Sequence, residues 1–253
     1  MNYVLVYNQN IIPYTIIPSA RRKTMSIVVT RRQGVCVRVP SHVSIVTVQE
    51  WVDTKKEWIA RAVHKMKLVE ERCSLSLDTL QYLGKIYPLV ISYGKRNKII
   101  QRDENISIEI KEPTQEYTRQ YLMKWLRIQA SSVFVGIFRD CWDIFLEFCR
   151  TTIPHHTLWY GKHIGSLDAL NMPILRIYAM KSRYGSLRQD GRVTLSTHLI
   201  HAPRACIEFV IFHELVHIIE FNHSRRFYAL LTKLCPHWKK YKQWLEEELI
   251  ILQ

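Results

Sequence analysis

The chain has 253 residues, 47% of them hydrophobic and 23% charged, which is enough to bury a sizeable core as an ordinary globular protein. No apolar run approaches the roughly 18 residues that cross a bilayer, and no signal peptide is recognisable, which predicts a cytoplasmic protein without membrane spans. The net charge of +14, spread over both halves, favours polyanions such as nucleic acid, although it also serves solubility alone. The six cysteines contain no CxxC pair, so free thiols are expected rather than a zinc ribbon.

Residues 1–112 are predicted to form a β-rich N-terminal region that contains one helix. Its strand-like segments are rich in β-branched and aromatic residues and are bounded by turn residues. These segments are 24–30, 34–40, 82–94, 98–101 and 106–111. Between the second and the third of them, residues 47–72 carry apolar side chains at helical spacing, which predicts the helix.

Residues 113–253 are predicted to form a second domain, because the pattern there changes from strands to helices. Thr114 is suited to cap a long, aromatic-rich helix. A strand at 172–180 and another that follows an Asp-Gly turn form a small sheet, and Pro203 opens the next helix. This domain is therefore expected to be helical with a small sheet.

The most informative stretch is IFHELVHIIEFNH, residues 211–223. His213 and His217 are four residues apart, so on a helix both imidazoles share one face and can bind one ion at ~2.0–2.1 Å. Glu214 can then take the proton of a water whose pKa zinc lowers to ~7. This HExxH pattern of zinc hydrolases is expected by chance only about 0.03 times in such a chain. The alternative, a buried helix with hydrogen-bonded histidines, would leave the Glu214 carboxylate on an apolar helix without a partner.

A catalytic zinc site needs a third protein ligand and an open position. His223 follows His217 by six residues, and a helix that ends near Glu220 allows the chain to bring His223 back toward the ion. Asn222 suits the end of that helix, and Ser224 suits the cap of the next one. Glu220 is the competing third ligand, since some zinc peptidases use a glutamate from a later helix. It is too close to His217 in sequence to match that layout, so His223 is preferred.

The chain also resembles a known family over nearly its full length. It is similar to the YgjP-like metallopeptidases, relatives of the SprT-like zinc proteases, in the segments RRKTMSIVV, GVCVRVP, WVDTKKEWI, YLGKIYPL, MKSRYGS, GRVTLSTHLIHAP and FHELVHIIEFNHSRRFYALL. The resemblance implies a zinc-dependent peptidase in which His213, His217 and His223 hold Zn²⁺ and Glu214 is the catalytic acid and base. Proteases of the SprT group act on proteins attached to DNA, which would suit the positive charge.

Motif and resemblance together predict an α+β fold. We expect a zincin-like catalytic domain at 113–253, built on the HExxH helix and a small sheet, after the β-rich region at 1–112. Three positions depart from the family pattern, which usually has tryptophan at Tyr184, cysteine at Leu187 and asparagine at Ser196. All three lie outside the metal motif, so the departures concern the substrate side of the site and not the ligand set.

Arg183 and Tyr184 are candidates for substrate contact, because they precede a strand of the small sheet. In zinc hydrolases the edge strand of such a sheet often lies beside the metal and pairs with an extended substrate. Either side chain could then stabilise the oxyanion of the reaction. The simpler interpretation is that the tyrosine packs in the core and the arginine is solvated.

Two other functions stay open at this point. The same metal site could hydrolyse a phosphoanhydride, as in a nucleotide pyrophosphatase, and the basic charge would suit that substrate, although two-metal carboxylate sites are commoner there. The chain could also be a nucleic-acid-associated protein whose zinc is structural. A structural site would be closed by four protein ligands, and the sequence offers only three good ones.

Overall fold

The computed structural model of the chain describes residues 2–30, 33–73, 77–112, 114–152, 170–180 and 183–247. Within these ranges the fold is α+β, as predicted, with small sheets and six α-helices. The chain divides into two compact units, Met1–Leu75 and Ser76–Gln253. None of the helices in the described ranges is long and apolar enough to cross a membrane.

In the part of the first unit that the structure describes, a four-stranded sheet is followed by two helices. Its elements are β1 (Asn2–Tyr7), β2 (Asn10–Ser19), β3 (Ser26–Thr30), β4 (Gly34–Pro40), α1 (Ile45–Thr54) and α2 (Lys56–Cys73). The strand order is β1-β2-β4-β3, in which β2 and β4 are parallel and the other two pairs are antiparallel. The helix predicted at 47–72 is thus interrupted, because Lys55 ends α1 in a non-helical conformation before α2 begins.

The core of this unit follows from the alternation of side chains along β4. Val35, Val37 and Val39 are two residues apart and share one buried face of the sheet. Val48 and Val52 are one turn apart on α1 and belong to the same buried cluster. A sheet with one face covered by a helix is the simplest way for this segment to bury its valines.

Among its described residues, the second unit has two small sheets and four α-helices. Its first sheet has the order β5-β6-β8-β7, built from β5 (Thr79–Tyr82), β6 (Lys85–Tyr93), β7 (Lys98–Gln101) and β8 (Ile106–Ile110). Its second sheet has the order β10-β11-β9, built from β9 (Ile174–Tyr178), β10 (Gly185–Leu187) and β11 (Arg192–Ser196). The helices are α3 (Gln115–Thr152), α4 (Arg204–Val216), α5 (Arg225–Leu234) and α6 (Trp238–Glu247), and a 3-10 helix, Thr197–His201, precedes α4.

The division between the units lies earlier than the predicted boundary at residue 112. The strands β5 to β8 share one hydrophobic core with α3 and α4, in which Ile106, Ile108 and Ile110 are fully buried. The change from strands to helices at residue 112 marks a change of secondary structure inside one packed unit. Sequence periodicity detects the change of secondary structure. It cannot detect which segments share a core, because shared burial depends on contacts between distant segments.

The turn between β5 and β6 packs against the start of α4. The backbone N–H groups of Leu83 and Gly84 donate to the carbonyls of Ile200 and His201 at 2.8 and 3.0 Å. Gly84 has a φ of +81°, and a Cβ there would lie 2.6 Å from Cγ of Pro203. Both the positive φ and this approach require glycine, so the turn fixes the beginning of the helix that carries the HExxH motif.

Candidate metal centre

Helix α4 is the central element of the second unit. It packs against α3, α5, α6 and β10, and nine of its thirteen residues are buried. An apolar helix that is covered on most sides can present polar groups at only a few places. His213 and Glu214 are two such groups, since His213 is half-buried and Glu214 is only 6% exposed.

Three histidines converge at the end of α4. Each of His213, His217 and His223 offers a ring nitrogen, and these three atoms lie within 4.8 Å of one another. The ring centroids are 5.2 Å apart for His213 and His217, 4.9 Å for His213 and His223, and 4.7 Å for His217 and His223. Within the described residues this is the single group of three or more histidine, cysteine or acidic side chains that could hold a metal ion.

The local sequence explains how the third histidine reaches the other two. Helix α4 ends at Val216, earlier than the predicted end near Glu220, and His217 keeps helical dihedral angles as its C-cap. His213 and His217 therefore still lie one turn apart on the same face. His223 is brought back where α5 begins, because the Ser224 hydroxyl caps that helix by accepting from the Phe227 N–H at 3.2 Å. The predicted cap at Ser224 is confirmed.

Phe227 forms the floor under the three imidazoles. It is fully buried, and its ring centroid lies 4.9, 4.7 and 4.7 Å from those of His213, His217 and His223. A rigid aromatic surface limits the rotamers of the rings that pack on it. Packing on Phe227 therefore restrains the orientation of all three rings.

The backbone of Glu220, rather than its carboxylate, serves the cluster. The Nδ1 atom of His217 lies 3.2 Å from the Glu220 carbonyl oxygen, which can only accept, so Nδ1 carries the proton and Nε2 keeps its lone pair. The Glu220 carboxylate lies 3.9 Å from Nε of Arg226 instead. Glu220 thus lies outside the cluster of ligand atoms and orients one histidine through its carbonyl.

The surroundings of His213 and His217 favour neutral imidazoles. Burial, with additional contributions from His217 and His223, lowers the pKa of His213 to about 3. Burial is also the main cause that lowers the pKa of His217. Neutral imidazoles keep the lone pairs that a cation needs, and three of them fit zinc as well as nickel, cobalt or iron. The donor set therefore fits a divalent transition metal.

Glu214 faces the cleft beside this cluster from a buried position. The Leu187 N–H of β10 donates to its carboxylate, and Arg183 lies near enough to act on it electrostatically. Burial outweighs both effects and raises the pKa of Glu214 to about 7. A carboxyl group with a pKa near neutrality can both accept and return a proton, which is the property required of a general base that later acts as an acid.

Comparison with known proteins identifies the family. The model of a family described as YgjP-like, metallopeptidase domain, matches residues 23–248. The chain belongs to the YgjP-like family. The predicted membership is confirmed, and it makes the chain a metallopeptidase that needs a divalent metal and acts on peptides or proteins. Neither the curated proteins nor the solved structures include a match to this chain.

A cleft of about 410 Å³ opens beside the histidines of this YgjP-like chain. Its walls come from β10, α4, α5 and α6 and from the segment before β10. The lining residues are Arg183, Tyr184, Gly185, Phe209, Val210, His213, Glu214, His223, Tyr228, Trp238, Lys242, Leu245 and Glu246. The sequence signals only some of these residues, because Phe209, Tyr228 and Trp238 have the same spacing as ordinary core positions of amphipathic helices.

Arg183 and Tyr184 both line the cleft, but their side chains are placed differently. The Tyr184 hydroxyl donates to the Leu245 carbonyl of α6 at 3.0 Å. Burial and the neighbouring Glu246 raise the pKa of Tyr184 to about 12, so the hydroxyl stays protonated. Arg183 is exposed at the rim. Tyr184 thus connects the segment just before β10 to α6. Its hydroxyl would have to break the hydrogen bond to Leu245 before it could stabilise the oxyanion of the reaction.

The other two departures from the family pattern also lie close to the site. Leu187 supplies the N–H that reaches Glu214. Ser196 is fully buried at the end of β11, where its N–H donates to the Tyr184 carbonyl at 2.8 Å. In the part of the chain that the structure describes, its hydroxyl is the one fully buried side-chain polar atom with no hydrogen-bond partner.

Proposed function

We propose that this YgjP-like protein is a zinc-dependent peptidase in which His213, His217 and His223 hold the ion and Glu214 is the general base. The observation that carries the proposal is the convergence of three imidazole nitrogens within 4.8 Å beside a buried carboxyl group. Three protein ligands leave the coordination position that a catalytic zinc needs for substrate or water. A fourth ligand, expected of a structural site, is lacking among the described residues.

The arrangement supports a zincin-like catalytic domain. Helix α4 and its C-cap residue supply two ligands and the base, the segment before α5 supplies the third ligand, and β10 lies against α4. Within the described ranges, β10 is the edge of the sheet β10-β11-β9. An extended peptide can add to such an edge through backbone hydrogen bonds, which would hold the scissile bond beside Glu214.

Zinc, when bound, supplies Lewis acidity that polarises the scissile carbonyl and makes water a stronger acid. Glu214 removes a proton from water while the water oxygen adds to the carbonyl carbon of the substrate. Glu214 then returns this proton to the amide nitrogen, and the bond between carbon and nitrogen breaks to release an amine and a carboxylic acid, which ionises at neutral pH. The raised pKa of Glu214, about 7, suits both transfers at neutral pH.

The test compares the wild type with Glu214→Gln, which keeps the shape of the side chain and removes its basicity. Both proteins should carry about one zinc per chain by elemental mass spectrometry, since Glu214 is not a ligand. The wild type should cleave an unfolded protein such as casein, and the variant should lose at least ~100-fold in kcat. Full activity in Glu214→Gln, or zinc-loaded wild type that cleaves no peptide bond, would refute the proposal.

A further inference from the structure

The cleft is lined by Glu214 and by the turn of α4 that precedes it. Val210 is four residues before Glu214 on α4, so the two side chains lie on one helix face. Gly185 packs against both, since a Cβ there would lie 2.8 Å from Cγ1 of Val210 and 2.7 Å from Oε1 of Glu214. The inner end of the cleft is therefore formed by an aliphatic side chain directly beside the proposed base.

The cleft also has an aromatic wall. The rings of Tyr228 and Trp238 are stacked, with centroids 5.1 Å apart and an interplanar angle of 22°. The indole N–H of Trp238 donates to the Thr232 hydroxyl at 2.9 Å, which fixes the ring and directs its polar atom away from the stack. Phe209 and Leu245 are buried at the back of the cleft. Such a wall binds apolar side chains at a low cost in conformational entropy.

The charged residues lie at the rim and include both signs. Arg183, Lys242 and Glu246 are exposed, and Nζ of Lys242 lies 3.8 Å from a carboxylate oxygen of Glu246. Lys242 and Glu246 select weakly, because solvent screens these exposed charges and their opposite signs offset each other. The apolar wall is therefore the stronger basis for discrimination among substrates.

We propose that this cleft selects a large apolar or aromatic side chain on the substrate residue that supplies the leaving amine. The inference rests on the proposed function, in which Glu214 returns a proton to the leaving nitrogen. That nitrogen must come within about 2.6–3.2 Å of the carboxylate. The side chain attached to the next carbon atom then enters the cavity that borders Glu214, and that cavity is the cleft.

Cleavage-site mapping with a peptide pool tests this preference on the zinc-loaded, full-length chain. The wild type should cleave before leucine, isoleucine, phenylalanine or tyrosine at least ~10-fold more efficiently than before glycine. Val210→Phe should fill the inner end of the cleft and move the preference to alanine and glycine. Trp238→Ala removes one wall and should reduce the preference several-fold if Val210→Phe does not fold. Trp58→Ala is the matched control, because Trp58 is 47% exposed on α2 and does not line the cleft.

A binding measurement gives a second readout that does not depend on turnover. By calorimetry, phenylalanyl-alanine amide, a mimic of the leaving fragment, should bind the zinc-loaded chain at least ~10-fold more tightly than glycyl-alanine amide. Val210→Phe or Trp238→Ala should narrow this ratio, and Trp58→Ala should not. The inference would be overturned if peptides were cleaved without any preference for the residue that follows the cleaved bond and the two dipeptide amides bound with equal affinity. That result would leave the proposed function intact. Zinc-loaded wild type that cleaves nothing would overturn both.

Discussion

The Nε2 atoms of His213 and His223 lie 2.9 Å apart, although ten residues separate them in the chain. Two neutral imidazoles at this distance can form a hydrogen bond, in which the Nε2–H tautomer of one ring donates to the Nε2 lone pair of the other; a cation between the two nitrogens is the alternative. Burial of His213 lowers its pKa and so opposes a positive charge on its own ring. The proposed metal ion would also reach His217 and would bind all three nitrogens without charging any imidazole.

Replacing His223 tests this relationship directly. His223→Ala should weaken zinc binding by at least ~100-fold, because even loss of a residue that only orients a ligand costs 10–100-fold. Competition with a chromogenic chelator measures the affinity, and circular dichroism verifies the fold. His237→Ala is the matched control, since His237 is an exposed histidine of the same unit outside the cluster. Equal zinc affinity in both variants would remove His223 from the ligand set.

The sequence predicts the arrangement around α4 because the determinants there are local. The spacing of His213 and His217 places them on one helix face, and Ser224 caps α5 as its residue type suggests. Each of these relationships extends over no more than a few residues. Periodicity and capping preferences act over that distance, so they could be identified without coordinates.

The cleft and the division into units could not be predicted in the same way. Tyr228 and Trp238 stack across two helices, and β10 reaches Glu214 through a backbone N–H that carries no residue-specific signal. The β5–β6 turn packs on Pro203, more than a hundred residues later in the chain. Contacts of this kind depend on tertiary packing, for which a single sequence without homologues gives no spacing rule.

His201 should make folding stability depend on pH. It is buried, its Nδ1 lies 2.5 Å from the Gln81 carbonyl, and burial lowers its pKa from 6.5 to about 4. Between these two pH values the unfolded chain binds more protons than the native one, so the free energy of unfolding rises with pH. The contribution of His201 is complete above pH 6.5 and is lost as the pH falls through about 4.

Urea denaturation of wild type and His201→Asn at pH 7.5, 6.5 and 5.5 measures this contribution. Asparagine can keep a donor toward Gln81 but does not titrate, so the variant should lose less stability on acidification than the wild type. The metal cluster is the same in both proteins, so its contribution to the pH dependence cancels in the comparison. His237→Asn, at an exposed position, should follow the wild-type slope. Identical slopes for all three proteins would show that His201 does not control acid sensitivity.

Gly185 should be required for catalysis without being a metal ligand. A Cβ at this position would come within 2.7 Å of Oε1 of Glu214 and 2.8 Å of Cγ1 of Val210, so Gly185→Ala has to move the carboxylate. Misplacement of a catalytic group by about 1 Å can cost ~100-fold in rate. We therefore expect kcat to fall ~10- to 100-fold while zinc content stays at the wild-type value.

Gly136→Ala provides the matched control on α3, since a Cβ there meets nothing within 4 Å. This change should leave kcat unaltered and raise the free energy of unfolding by about 0.5–1 kcal/mol, because alanine restricts the unfolded chain and favours the helix. Steady-state kinetics, zinc analysis and urea denaturation of both variants separate the two effects. If Gly185→Ala keeps the wild-type kcat with zinc bound, the close packing of β10 on Glu214 is not what positions the base. If it loses zinc as well as activity, the packing supports the metal cluster rather than the carboxylate alone.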